Sequence, residues 1–116
     1  TRVGERSNLN LYFEWDKGNS EKSKARHGIT CEEIESAFTV YSKDIIVLGH
    51  QVSPCYDSNE ERYGLFGKTY TEKSLFICMT LRDNDTKIRV ISAREVNQKE
   101  KKFYDNLLLI NLKSED

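Results

Sequence analysis

Residues 75–93, with the sequence LFICMTLRDNDTKIRVISA, decide the fold. Two short apolar runs, which are typical of strands, stand at either end of this stretch. The segment between them, residues 83–86, is polar and favours a tight turn. The stretch therefore predicts two antiparallel strands, residues 75–81 and 87–93, joined by a short connection.

Apolar segments before this stretch predict three further strands. Residues 62–68 are followed by the turn-rich segment 69–73, which extends the antiparallel meander by one strand. Residues 44–48 form a β-branched run ahead of the polar loop 51–59. Near the N-terminus, apolar and polar residues alternate from Leu9 and predict a half-buried strand that ends near Trp15.

Capping signals place three helices between and after these strands. Asp16 can cap a helix over residues 20–26, which Gly28 would stop in the left-handed conformation. Thr30 and Glu33 form a capping box for a second helix, and residues 97–100 repeat the signature before an amphipathic final helix.

The predicted fold is α+β: one mostly antiparallel sheet of about five strands with three helices, in the order β-α-α-β-β-β-β-α. At 116 residues the chain is expected to form one domain over residues 1–116, with residues 1–8 as a flexible N-terminal extension.

Charged residues make up 32% of the chain and the net charge is −1, which is typical of a soluble domain without an overall basic surface. No membrane span or signal peptide is predicted, and a cytoplasmic location is expected.

The three cysteines are widely spaced and form no CxxC pair. This pattern predicts neither a disulfide framework nor a zinc site, and we interpret the cysteines as reduced and small apolar residues. No cofactor or metal is expected.

Strict alternation within residues 87–93 would distribute the last strand over two faces. It places Lys87, Arg89, Ile91 and Ala93 on one face, and Ile88, Val90 and Ser92 on the other. Arg94 follows directly after this strand. Because guanidinium groups form paired hydrogen bonds with phosphate, Arg94 is the first candidate for a phosphate ligand and Arg82 the second.

Several motifs, read together, show that the chain resembles the BrnT family of bacterial type II toxins, a ribonuclease group with a fold similar to that of RelE. The matching motifs are Phe13-Glu14-Trp15-Asp16, Arg26-His27-Gly28-Ile29, Glu60-Glu61-Arg62-Tyr63, Gly67-Lys68, Thr80 with Arg82, and Ile88-Arg89-Val90-Ile91-Ser92-Ala93-Arg94. The resemblance implies a toxin that cleaves RNA and inhibits translation. It also implies a cognate BrnA-like antitoxin with a DNA-binding domain, in a complex with two copies of each chain.

Cleavage of RNA by its own 2′-hydroxyl, without a metal, needs a base, an acid and cations around the phosphate. His27 is the candidate proton-transfer residue because histidine changes charge near neutral pH, and acid and base roles both stay open. The catalytic candidates are His27, Glu61, Arg82 and Arg94. The candidates for RNA binding are Lys24, Arg26, Arg62, Arg89 and Trp15.

A rival hypothesis is a non-catalytic module of the same fold that binds an antitoxin or RNA. It rests on three departures from the usual pattern of the family, at Asn19, Ser23 and Leu81. A small RNA-binding domain without a toxin role is a third alternative, although no aromatic platform motif supports it.

Overall fold

The computed structural model describes residues 12–52 and 55–114. The predicted extension, residues 1–8, and the first three residues of the first predicted strand, residues 9–11, lie outside the described residues. The strands are β1 (Tyr12–Phe13), β2 (Ile46–His50), β3 (Tyr63–Lys68), β4 (Ser74–Arg82) and β5 (Lys87–Glu95). The helices are α1 (Lys17–Ser20), α2 (Lys22–His27), α3 (Cys31–Phe38) and α4 (Gln98–Ser114), with a 3-10 turn at Ser42–Asp44.

These strands form one sheet in the order β1-β5-β4-β3-β2. Strands β2 to β5 pair as an antiparallel meander, whereas β1 pairs with β5 in parallel. The predicted α+β class, with one mostly antiparallel sheet, is confirmed. β2 begins at Ile46, two residues later than predicted, because the 3-10 turn occupies Ser42–Asp44.

The predicted caps determine where the helices begin and end. Asp16 accepts hydrogen bonds from the backbone N–H groups of Gly18 and Asn19, so α1 begins at Lys17. The first predicted helix is divided at Glu21 into α1 and α2, and Gly28 stops α2 with a φ of 70°. A predicted capping box is also present at the start of α3.

Alternation along β4 divides the apolar side chains between two cores. Leu75 and Ile77 pack in a first core with Ile34 of α3. Phe76, on the opposite face, packs in a second core with Tyr104 of α4. The helices therefore cover both faces of the sheet, because β4 is apolar on both.

A β-bulge in β5 corrects the predicted alternation of that strand. Cys78 pairs with Ser92, but its neighbour Met79 pairs with Val90, so Ile91 is an extra residue in β5. A bulge shifts the alternation of the residues that follow it. Ala93 consequently joins Val90 in the first core, and the strict alternation predicted from the sequence is wrong beyond Val90.

The prediction of three reduced cysteines is also wrong in this structure. Cys55 and Cys78 form a disulfide, with their Cα atoms 5.6 Å apart, and only Cys31 is free. The polar loop after β2 brings Cys55 over the centre of β4, although 23 residues separate the two cysteines. Sequence spacing carried no signal of this contact.

Asn19 connects the first helices to the sheet. Its side chain is buried and donates hydrogen bonds to the carbonyl oxygens of Glu14 (2.9 Å) and Val90 (3.0 Å). Its own oxygen accepts from the backbone N–H of Asp16 at 2.8 Å and closes the capping box of α1. This departure from the family pattern therefore has a structural role here.

We expect Asn19→Ala to lower the free energy of unfolding by about 2 kcal/mol, because it leaves two carbonyls without their donor and opens the cap. Urea denaturation measures the change. Asn106→Ala, on the exposed surface of α4, is the control and should change stability by less than about 0.5 kcal/mol. Equal stabilities for the two variants would contradict this role of Asn19.

Glu33 is a buried carboxylate in α3 with several donors around it. Its oxygens accept hydrogen bonds from Thr71 and from the backbone N–H of Thr30, and Lys73 Nζ lies 3.0 Å away. Burial alone would raise the pKa of Glu33, but these interactions outweigh it and lower the pKa from 4.5 to about 2.

The ion pair of Glu33 should therefore make stability depend on pH. Since the pKa of folded Glu33 lies below the unfolded value of 4.5, its stabilisation is complete above pH 4.5 and is lost as the pH falls toward 2. We expect Glu33→Gln to lower the free energy of unfolding by about 2 kcal/mol at pH 7, and by less as the pH falls through that range. Denaturation of the wild type and of Glu33→Gln from pH 7 to pH 2 tests this. For the control Glu32→Gln, at an exposed neighbouring position, the difference in stability from the wild type should not change in this way with pH.

Candidate active site

A cavity of about 230 Å³ opens between α2 and the adjoining part of β4 and β5. We call it the candidate cavity. Its lining residues are Lys22, Arg26, His27, Phe76, Cys78, Ser92 and Arg94. It therefore combines an imidazole from the first part of the chain with a guanidinium from the last strand.

Helix α2 supplies one wall of the candidate cavity. The cap at Asp16 sets the start of the helical segment, and Asn19 attaches it to the carbonyl of Val90 in β5. His27 occupies the last residue of α2, where Gly28 ends the helix. Its side chain is exposed, and within the described residues its imidazole makes no hydrogen bond. The ring is thus available to a ligand in the cavity.

Strand β5 supplies the opposite wall. Ser92 and Arg94 lie opposite Cys78 and Phe76 of β4, and directly paired residues share a face of a sheet. Strict alternation would instead have placed Arg94 on the face of Val90, in the first core. The bulge at Ile91 therefore places the side chain of Arg94 on the face of the sheet that lines the candidate cavity.

Arg94 is held in a fixed orientation. It donates hydrogen bonds to both carboxylate oxygens of Glu100, at 2.8 and 2.9 Å, and its guanidinium carbon lies 5.0 Å from the centre of the Phe76 ring. The Arg94 hydrogen bonds are the main reason that the pKa of Glu100 falls to about 2. The same pairing raises the pKa of Arg94 above its usual value, so both groups are charged at neutral pH.

Two of the predicted catalytic residues lie elsewhere. A second cavity, which we call the acidic hollow, is lined by Glu60, Glu61, Tyr63, Thr80, Leu81 and Asp85. Glu61 there pairs with His50 at 3.0 Å. Arg82 donates to Glu14 and Glu60, and it lies six residues beyond Phe76, about 20 Å along β4. Neither Glu61 nor Arg82 lines the candidate cavity.

Two predicted RNA-binding arginines are also paired with carboxylates. Arg89 contacts Glu14 at 3.1 Å and Asp16 at 3.0 Å, and its hydrogen bond is the main reason that the pKa of Asp16 is lowered. Arg62 contacts Asp57 and Glu60 at 3.3 and 2.9 Å. Because the positive charges of Arg62 and Arg89 are already paired with carboxylates, their attraction for a phosphate group is weaker.

The remaining predicted contacts are divided between the candidate cavity and other surfaces. Arg26 lines the cavity, whereas Lys24 is exposed on α2 outside the lining. Trp15 donates a hydrogen bond to Glu35 at 2.6 Å and stacks on Phe13, beside the first core.

Sequence reasoning missed several cavity residues. Lys22 lies four residues before Arg26, a helical spacing that could have indicated their common face. Ser92 and Phe76 gave no comparable signal, because the bulge and the pairing of β4 with β5 bring them there. Glu100, beside the cavity, was predicted from the sequence as part of a capping signature and not as a partner of Arg94.

Within the described ranges, no group of three or more His, Cys, Asp or Glu residues is arranged to hold a metal ion. No helix in the described part of the chain has both the length and the apolar character needed to span a membrane.

Comparison with known proteins identifies the family. The model of a ribonuclease toxin, BrnT, of type II toxin-antitoxin systems matches residues 15–100. A search of curated proteins finds no match. The matched range covers about three quarters of the chain and contains every residue that lines the candidate cavity. The chain therefore belongs to the BrnT family of ribonuclease toxins of type II toxin-antitoxin systems.

Proposed function

We propose that the protein is an endoribonuclease that cleaves RNA at the candidate cavity by attack of the 2′-hydroxyl, without a metal ion. One observation carries the proposal: His27 of α2 and Arg94 of β5 line the same cavity. Lys22 and Arg26 line it too, so three cationic side chains surround a titratable imidazole. This set matches the requirements of a phosphate undergoing internal attack.

His27 transfers the proton in the proposed reaction. The neutral imidazole accepts the proton of the 2′-hydroxyl as that oxygen attacks the neighbouring phosphorus. The bond from phosphorus to the 5′ oxygen then breaks, and the imidazolium returns the proton to this leaving oxygen. The products are a 2′,3′-cyclic phosphate and a free 5′-hydroxyl, and no other reactant is consumed.

Arg94 stabilises the extra negative charge of the pentacoordinate phosphorus in this proposal. A guanidinium keeps its charge at any working pH and forms paired hydrogen bonds with phosphate oxygens. Lys22 and Arg26, on the facing helix, add attraction for the RNA backbone. None of the described residues that line the candidate cavity carries a carboxylate, the ligand type that Mg²⁺ prefers, and this supports a mechanism based on cationic side chains.

Membership of a type II toxin family implies a protein antitoxin as partner. We propose that this antitoxin carries a DNA-binding domain and forms a complex with two copies of each chain. Cleavage of RNA in the cytoplasm would inhibit translation.

Cytosolic reductants usually keep cysteines as thiols. Cys55 and Cys78 are also packed in the second core, so the fold does not depend on the disulfide alone.

The rival function, a non-catalytic module that binds the antitoxin or RNA, has one observation in its favour. No protein group within the described residues orients the imidazole of His27, whereas catalytic histidines are commonly held by a hydrogen bond to the second ring nitrogen. Bound RNA would have to supply this orientation for the enzyme to act.

We expect His27→Ala to lower the single-turnover rate of RNA cleavage by about 10²- to 10⁴-fold, because it removes the proton-transfer group. Cleavage of a labelled oligoribonucleotide in the presence of EDTA measures the rate. The products should carry the cyclic phosphate, and a 2′-deoxy substitution at the cleaved position should abolish the reaction.

The second histidine of the chain provides a matched control. His50 is exposed and pairs with Glu61 at the acidic hollow, so His50→Ala and Glu61→Gln should cleave at close to the wild-type rate. If His50→Ala or Glu61→Gln loses activity while His27→Ala retains it, the active site lies at the acidic hollow and the proposal is wrong.

Expression in bacteria separates the enzyme from the non-catalytic module. We expect expression of this chain alone to arrest growth, and the double variant His27→Ala, Arg94→Ala to relieve the arrest, because RNA would no longer be cleaved. Growth curves after induction measure this, with immunoblots to show equal protein levels. Normal growth with the wild-type chain would favour the non-catalytic module.

A further inference from the structure

The guanidinium of Arg94 is restrained on three sides. One terminal nitrogen donates to Glu100 at 2.8 Å and to the carbonyl of Glu95 at 3.2 Å, and the other donates to Glu100 at 2.9 Å. The ring of Phe76 lies against its flat face, 5.0 Å from the guanidinium carbon. An arginine has five N–H donors, so two of them remain unused by these contacts.

Glu100 is itself fixed by the start of α4. Its carboxylate accepts a hydrogen bond from the backbone N–H of Asn97 at 2.9 Å. In return, the side chain of Asn97 accepts from the backbone N–H of Glu100 at 2.8 Å. This reciprocal cap connects the carboxylate rigidly to the helix. The orientation of Arg94 is therefore set by the first turn of α4.

We propose that Glu100 is a positioning residue for the candidate cavity, which fixes Arg94 so that its remaining N–H groups are presented to an anion there. This inference rests on the proposed function, because Arg94 is taken to stabilise the phosphate. Glu100 does not line the cavity itself and acts through Arg94.

The charge balance distinguishes this pair from the other arginine pairs of the sheet. Among the described residues, Arg82 and Arg89 each contact two carboxylates, whereas Arg94 contacts only that of Glu100. Within the described residues, Lys22 and Arg26 make no ion pair. The described lining of the cavity, taken together with Glu100, therefore has a net positive charge.

Substitution of Glu100 by glutamine separates positioning from stability. Glutamine can still accept the backbone hydrogen bond in a capping box, so α4 should begin normally. It cannot provide two charged oxygens to Arg94, so the guanidinium is released. We expect Glu100→Gln to lower the single-turnover cleavage rate by about 10- to 100-fold, with the affinity for a non-cleavable 2′-O-methyl oligonucleotide changed by less than about 3-fold.

A double-mutant cycle shows whether the effect passes through Arg94. In the Arg94→Ala background, Glu100→Gln should cause no further loss of rate. Asp105→Asn, which removes a carboxylate from the same helix, is the control and should cleave like the wild type. If Glu100→Gln cleaves like the wild type while Arg94→Ala is impaired, or if the two losses multiply, the proposal is overturned.

Nuclear magnetic resonance of the arginine side chains tests the positioning without any cleavage. The guanidinium of Arg94, assigned by its absence in Arg94→Lys, should rotate slowly in the wild type and freely in Glu100→Gln. Equal rotation in both proteins would overturn the inference. If no variant and no wild-type protein cleaves RNA, the proposed function fails, and this measurement still decides whether Glu100 holds Arg94.

Discussion

The bulge at Ile91 is the constraint on which the candidate cavity depends. In a regular strand, Arg94 would share a face with Ile88 and Val90 and would point into the first core. A charged guanidinium there would be strongly unfavourable unless it were paired. The extra residue keeps Val90 in the core and returns Ala93 to it, so both apolar packing and the polar cavity are satisfied.

A second constraint places α2 against this strand. The side chain of Asn19 in α1 donates to the carbonyl of Val90, directly before the bulge, and so attaches the segment that leads into α2 to β5. His27 then lies at the end of a helix that the sheet itself holds in place. The residue that departs from the family pattern is thus part of the scaffold of the cavity and not of its lining.

The arginines in and beside the strands of the sheet have different environments in the structure. Arg62, Arg82 and Arg89 contact carboxylates from the segment after β1, the loop after β2 and the cap of α1. Within the described part of the chain, Arg94 contacts one carboxylate, and it faces a cavity with further cations. An arginine paired within the protein and one available to a ligand cannot be told apart by sequence, because their partners are distant along the chain.

The sequence by itself determined the α+β class, the antiparallel meander and the helix caps, because turn, cap and alternation signals act over a few neighbouring residues. It also identified His27 and Arg94 as candidates. Only the tertiary structure decided that these two meet in one cavity while Glu61 and Arg82 do not. The bulge and the Cys55–Cys78 disulfide likewise depend on contacts between distant segments, and such contacts form only when the chain packs.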